Sequence, residues 1–369
     1  MNGSRLSIVI LGLSITSSWG NGHATTYRSL VRGLSARGHD LCFLERNAPW
    51  YASNRDLKRP RQGRFELYES LEELKDRFAE EVREADLVVV GSYVSEGSAI
   101  GEWVTATARG ATAFYDIDTP VTLAKLDRDE ADYLSRALIP RYHLYLSFTG
   151  GPILGRIERE YGARKARPLY CSVDPSLYFP EEVEPQWSLG YMGTYSLDRQ
   201  GPLEALLVEP ARRWEEGRFI VAGSKYPGTI DWPHNIERIE HLPPTQHRAF
   251  YNRQRFTLNV TRADMRRAGY SPSVRLFEAA ACATPIISDA WQGLETFFKP
   301  GEEILISRSP EETLSYLRET SEEERRAIGL RACSRVLAEH TAVQRAAELE
   351  EYAREVLTVL PRLREAASF

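Results

Sequence analysis

Arg275 and Glu278 stand three residues apart in "SPSVRLFEAAACATPIISD" (271–289), a stretch that otherwise reads as an Ala-rich helix running into a strand that stops at Asp289. Val274, Phe277 and Ala281 form an apolar stripe, and Arg275 and Glu278 share a neighbouring face. Ser271 is suited to cap the helix and Pro272 to its first turn. That predicts outward-pointing amide N–H groups at residues 273–275, Ser273 among them, the end of a helix that attracts phosphate. A glutamate just over one turn further on is suited to accept hydrogen bonds from a ribose diol. The alternative is a helical ion pair between Arg275 and Glu278, contributing ~0.3 kcal/mol if exposed.

Other residues have the chemistry to join such a site. In "GYMGTYSLDRQG" (190–201) a strand runs into Gly193, Thr194 and Tyr195, and Gly193 lets the backbone approach a ligand closely. Arg199 in the same stretch, Lys225 in "AGSKYPG" and Arg262 after "FTLNVT" are cations able to neutralise a diphosphate, each with an ordinary surface role as its alternative. Near the N-terminus, "WGNGHATTYRSL" sets Gly20, Asn21 and Gly22 in a loop that enters a helix at His23. A histidine there can orient a hydroxyl or take its proton, or it is simply a solvated loop residue. "FYDIDTP" brings Asp116 and Asp118 to a strand end, where an aspartate faces the ligand crevice of an open parallel sheet or caps a turn.

The elements that carry these residues follow from short Val/Ile/Phe-rich runs alternating with amphipathic stretches, the pattern of βα units around parallel sheets. Strands are expected at 6–12, 40–45, 85–91, 111–118 and 144–148, and again at 189–195, 218–224, 235–242, 255–261 and 284–289. Between the two series lies "YCSVDPSLYFPEEVEPQWS" (170–188), proline-rich and without helical period, which reads as a linker. The expected organisation is an α/β chain of two Rossmann-like domains, 1–170 and 171–340, with a helix at 341–369.

At 369 residues the chain is long enough for two such domains. With 47 basic and 52 acidic side chains it lacks the basic character of a general nucleic-acid binder. The four scattered cysteines form no metal-ligand or disulfide pattern and point to a reducing cytosol, free or at a membrane surface. "RLSIVILGLSITSSWGNG" reads as a first strand entering a Gly-rich turn rather than a signal peptide, and no stretch reaches a transmembrane length.

With these motifs the chain resembles the GT-B glycosyltransferases, and more narrowly the CgeB-like (spore maturation protein B type) glycosyltransferases. The blocks that carry the resemblance are "SITSSWGNGHATTYRSLVRGLSARGHDLCFLER", "YMGTYSLDRQ", "HLPPTQHRAFY" and above all "GYSPSVRLFEAAACATPIISDAWQGLETFF". The resemblance implies two Rossmann-like domains facing across a cleft and a nucleotide-sugar donor on the second. It also implies Glu278 on the ribose and Gly loops with basic residues on the diphosphate, with neither metal nor cofactor. A hydroxyl acceptor would lie on the first domain, with Asp118 or His23 as its base, and the last helix would pack back toward that domain. One departure stands out: many retaining relatives carry a second glutamate eight positions earlier, and here that position is Tyr270.

Three rival readings have sequence features of their own. A nicotinamide dehydrogenase would use Glu45, at the end of the second strand, on a ribose. Its glycines should then sit in the first tight βα turn, whereas Gly20 and Gly22 lie well beyond it. A metal-dependent transferase would bridge Asp116 and Asp118 through a divalent ion. A catalytically inactive GT-B-shaped protein that binds nucleotide sugar or glycan would keep Glu278, Arg199 and Lys225 without turnover.

Overall fold

Runs such as Leu87–Gly91 and Ala111–Asp116 have no polar alternation because both faces of these strands are covered, and every residue in them is buried. The computed structural model describes residues 5–19, 22–58 and 60–366. In the first unit, formed by Met1–Ser172 and Ala342–Phe369, seven strands make one parallel sheet. They are β1 (Ser7–Gly12), β2 (Asp40–Arg46), β3 (Arg64–Tyr68), β4 (Leu87–Gly91), β5 (Ala111–Asp116), β6 (Leu144–Ser147) and β7 (Ala166–Pro168). Their order is β3-β2-β1-β4-β5-β6-β7, so the chain reverses direction across the sheet between β1 and β4. Helices His23–Ala36, Leu71–Glu84 and Gly97–Thr107 are among the connections, and Ser70 caps the second by accepting from the Glu73 amide.

The helix Ala342–Ala366 completes this unit. It approaches His23–Ala36 so closely that a Cβ on Gly33 would lie 2.2 Å from the Ala342 carbonyl oxygen, a contact only glycine permits. Glu350 accepts from Arg37 at 2.7 Å and lies 3.1 Å from His39 Nε2. Burial alone would raise the Glu350 carboxyl, but the hydrogen bonds from Arg37, Arg354 and His39 hold it down at about 2.

The second unit, Val173–Thr341, has six parallel strands: β8 (Trp187–Met192), β9 (Phe219–Ala222), β10 (Ile236–Ile239), β11 (Gln254–Asn259), β12 (Ile286–Ser288) and β13 (Leu305–Ile306). Their order, β10-β9-β8-β11-β12-β13, reverses between β8 and β11. The segment preceding β8 carries almost no regular structure and is pinned at its start, where the Val173 amide donates to the His340 carbonyl at 3.0 Å. β3, β7 and β13, all at or near sheet edges, are additions to the expected strands, and β10 is shorter than 235–242.

Candidate functional site

The helix beginning in "SPSVRLFEAAA" spans Val274–Ala281, and its N-cap is Ser273 rather than Ser271. The cause is visible in the side chains: the Ser273 hydroxyl donates to Asn259 Oδ1 at 3.0 Å, fixing the helix start against the end of β11. No side chain caps this helix, so its first amides keep their attraction for anions. The Arg275–Glu278 ion pair does not form. Arg275 instead donates through Nε to the Met192 carbonyl at 2.6 Å and through Nη1 to Asn259 Oδ1 at 3.0 Å, with its guanidinium 5.0 Å from the centre of the Tyr191 ring. It thereby joins the carboxyl ends of β8 and β11, the reversal point of the sheet, where open α/β sheets bind ligands. Asn259 holds this junction and carried no sequence signal beyond being a polar residue at the end of an apolar run.

Glu278 is 4% exposed and accepts from the Tyr251 hydroxyl at 3.1 Å. Burial first, and then the Glu278 charge, push the Tyr178 and Tyr251 hydroxyls and the Cys282 thiol upward, so all three stay protonated around it.

Gly193 follows β8, and a Cβ there would meet the Tyr191 hydroxyl at 2.5 Å and the Arg275 Nη2 at 3.1 Å. The neighbouring Gly223, at φ +153, packs so tightly on the Gly193 carbonyl that a Cβ would come within 2.0 Å. Thr194 is exposed, and its carbonyl accepts from Arg199 Nη2 at 2.6 Å; Tyr195 is half-buried, and its amide donates to Ser224. The Arg199 Nε is buried without a hydrogen-bond partner. Burial lowers the Arg199 pKa; Tyr191 and Tyr226 oppose this and the Arg275 and Arg262 charges add to it. Arg275 Nη2 reaches the Gly193 turn, and the Ala263 amide donates to Asp198 at 2.8 Å, which ties the Arg262 segment to the one bearing Arg199. Lys225, one residue past Ser224, is exposed with φ +67, and no hydrogen bond ties it to this cluster. Tyr270 adopts φ +48, donates its amide to Gln292, and packs its ring over Gly293.

In the first unit, Gly22 is the N-cap of the helix starting at His23, while Gly20 and Asn21 lie outside the described residues. His23 is 9% exposed, not a solvated loop residue, and its Nδ1 is buried with no hydrogen-bond partner. Its ring meets the edge of Tyr93 at 5.4 Å, and the Tyr93 hydroxyl donates to Asp118 Oδ2 at 3.4 Å. Tyr93 therefore stands between His23 and Asp118, at the β1–β4 reversal. Its φ of +62, a strained value for a non-glycine residue, was not legible beforehand. Asp118 is half-buried at the start of the helix Thr119–Leu126.

Asp116 lies wholly inside, accepting from the Tyr145 hydroxyl at 2.5 Å and from Thr122 Oγ1 at 2.7 Å. With both carboxylate oxygens engaged internally, it does not form an open bidentate pair with Asp118. Glu45 is likewise committed. It accepts from the Ser14 and Thr16 hydroxyls and from the Ile15 and Thr16 amides, at 2.6–3.2 Å, and so holds the loop after β1 instead of facing a ribose.

Two buried groups here titrate in opposite senses. Burial lowers His23 from 6.5 to about 4 and raises Asp116 from 3.8 to about 6. Asp116 stabilises the fold while protonated and loses that contribution as pH rises through about 6; His23 stabilises it while neutral and loses that contribution as pH falls from 6.5 toward 4. Between those limits Asp116→Asn should gain stability relative to wild type as pH rises, by up to ~3 kcal/mol, and His23→Gln should lose a similar amount. Denaturant unfolding at a series of pH values measures both, and two parallel curves would refute the assignment.

Residues 199–351, less than half of the chain, match the family described as Glycosyl transferase-like. No curated protein matches the chain. The whole chain is similar in structure to a sucrose-phosphate synthase from Thermosynechococcus elongatus, with a TM-score of 0.66 at 14% identity, covering 96% of this chain and 100% of the other. It is similar also to the Anabaena protein HepE in complex with UDP and glucose, with a TM-score of 0.69 at 12% identity, covering 95% and 100%. A third is AviGT4, a glycosyltransferase involved in avilamycin A biosynthesis, with a TM-score of 0.61 at 15% identity, covering 96% and 98%. The two parallel-sheet Rossmann-like units thus match the GT-B glycosyltransferase fold. Among the described residues no helix is long and apolar enough to cross a membrane.

Proposed function

We propose that the chain is a glycosyltransferase of the CgeB-like type, moving a sugar from a nucleoside diphosphate sugar to a hydroxyl acceptor in glycan or natural-product glycoside assembly. The observation that carries this reading is the convergence of Arg199, Arg262 and Arg275 around the Gly193 turn, with Glu278 one turn into the helix that bears Arg275. The buried, unpartnered Arg199 Nε is a donor in want of an anion. Three guanidinium groups and the amides near Ser273 supply the positive charge that a divalent ion would otherwise bring to a departing diphosphate. Glu278 takes the ribose hydroxyls. HepE's bound UDP and the family match over residues 199–351 support a nucleoside diphosphate as the ligand.

The first unit supplies the acceptor side. The acceptor oxygen bonds to the anomeric carbon as the bond from that carbon to the diphosphate breaks, and the hydroxyl proton passes to a base. His23 Nδ1 is neutral at ordinary pH and buried without a partner, which equips it for that proton; Asp118, held by Tyr93, orients the hydroxyl.

The test is a thermal-shift panel of UDP, GDP, TDP, CMP, ADP and NAD, with and without chelator. One nucleoside diphosphate at ~100 times its Kd should add about 2.7 kcal/mol, or roughly 5–10 °C in Tm, and the shift should survive chelation. A response to NAD alone, or only with a divalent ion, would overturn the reading. Donor binding with neither hydrolysis nor transfer would leave the inactive binding protein.

A further inference from the structure

Trp19 and Trp50 are 56% and 59% exposed, unusual for the largest apolar side chain, and they belong to neighbouring segments of the first unit. The Ser17 hydroxyl donates to the Asn54 carbonyl at 2.8 Å, the Leu57 amide to the Thr16 carbonyl at 3.0 Å, and the Ser18 amide to Asp56 at 3.0 Å. Glu45 accepts from the Ile15 and Thr16 amides that lead into Trp19, and Arg28 donates to Asp56 through two bonds of 2.9 and 2.8 Å. The Trp50 carbonyl accepts from the Asn54 amide side chain at 2.7 Å. Both indoles are therefore presented on braced segments, and little conformational freedom is lost when they are buried against something else.

Charge identifies that something. Between Asn47 and Arg64 the sequence carries Arg55, Lys58, Arg59, Arg61 and Arg64 against Asp56 alone, in a chain whose net charge is −5. Arg28 neutralises Asp56, and Arg64 pairs with Glu81. Lys58 and Arg61 are exposed and have no acid partner among the described residues. Exposed indoles beside unpaired cations are the combination that partitions into the headgroup region of a negatively charged bilayer, where the ring sits at the interface and each basic side chain contributes. A neutral sugar ring would use the indoles and leave the cations unmatched.

We infer that the first unit docks on an anionic lipid surface through Trp19, Trp50, Lys58 and Arg61. This goes beyond the transferase reading and does not depend on it, since docking needs neither donor nor acceptor. The test is co-sedimentation of the full chain with phosphatidylcholine vesicles, with and without about a third phosphatidylglycerol, while tryptophan emission is followed. Wild type should bind the anionic vesicles, release at high salt, and shift its emission to the blue. Lys58→Gln/Arg61→Gln should lower partitioning roughly 30-fold, from about 1 kcal/mol per charge. Trp19→Ala/Trp50→Ala should abolish the blue shift, and both variants should keep the wild-type response to the nucleoside diphosphate. Equal partitioning of wild type and both variants, absence of binding to anionic vesicles, or the same blue shift produced by a soluble oligosaccharide without vesicles would overturn the inference. The last outcome would make the indoles a glycan platform.

Discussion

Replacing His23 by glutamine is expected to lower turnover roughly a hundred- to ten-thousand-fold while leaving donor affinity unchanged. Glutamine keeps a polar group at the helix start but cannot take a proton. Nearly everything else about His23 is structural silence: it is buried, its Nδ1 has no partner, and its ring rests on Tyr93. A buried nitrogen without a partner costs free energy unless something else supplies the hydrogen bond, and the acceptor hydroxyl is the group proposed to do so. The pH profile separates this from a packing role. Because burial holds His23 at about 4, kcat/KM should stay flat well below the 6.5 of an ordinary histidine before its acid limb appears. Asp118→Asn, measured alongside, should reduce kcat with little effect on donor Kd. Wild-type turnover in His23→Gln would remove it as the base and pass that role to Asp118.

Glu278→Gln is expected to weaken binding of the stabilising nucleoside diphosphate by about 1.5–3 kcal/mol, a factor of roughly ten to a hundred and fifty, as read by calorimetric titration. Glutamine preserves the volume and can still accept the Tyr251 hydroxyl, so the helix Val274–Ala281 should keep its packing. What is lost is the charge-assisted part of the bonds to the ribose diol. Circular dichroism and unfolding curves like those of wild type, combined with weakened binding, would place the effect in the ligand. An unchanged Kd would reduce Glu278 to a buried brace for Tyr251.

The central strands were legible because runs such as "LVVVG" and "FIVA" are buried on both faces and show up as unbroken apolar segments. Edge strands were not. Arg64–Tyr68 is half-exposed along most of its length, and its Arg, Phe, Glu, Leu alternation, the period of a half-buried strand, is too short at five residues to stand out as the unbroken apolar runs do. The helix bearing Arg275 and Glu278 is visible in its apolar stripe, but its start at Val274 is not. Ser271 and Ser273 are equally good caps in isolation, and the bond from Ser273 to the distant Asn259 is not contained in the local sequence. The same residue draws Arg275 away from Glu278, a preference that spacing along one helix cannot contain. Tyr93 carries no sequence signal because its place between His23 and Asp118 depends on strands that are neighbours in the sheet but far apart in the chain. Glu45 is legible as an acid at a strand end, yet its four hydrogen bonds come from three residues, Ser14, Ile15 and Thr16, in a loop some thirty residues earlier.

The seam at Gly33 and Ala342 has a consequence for how the molecule is born. One unit is assembled from residues at both ends of the chain, whereas the other occupies the unbroken stretch Val173–Thr341. During synthesis the stretch made second can therefore finish folding first. The sheet of the first unit gains its packing at Gly33 only from the 25-residue helix Ala342–Ala366, which is made after the whole of the second unit.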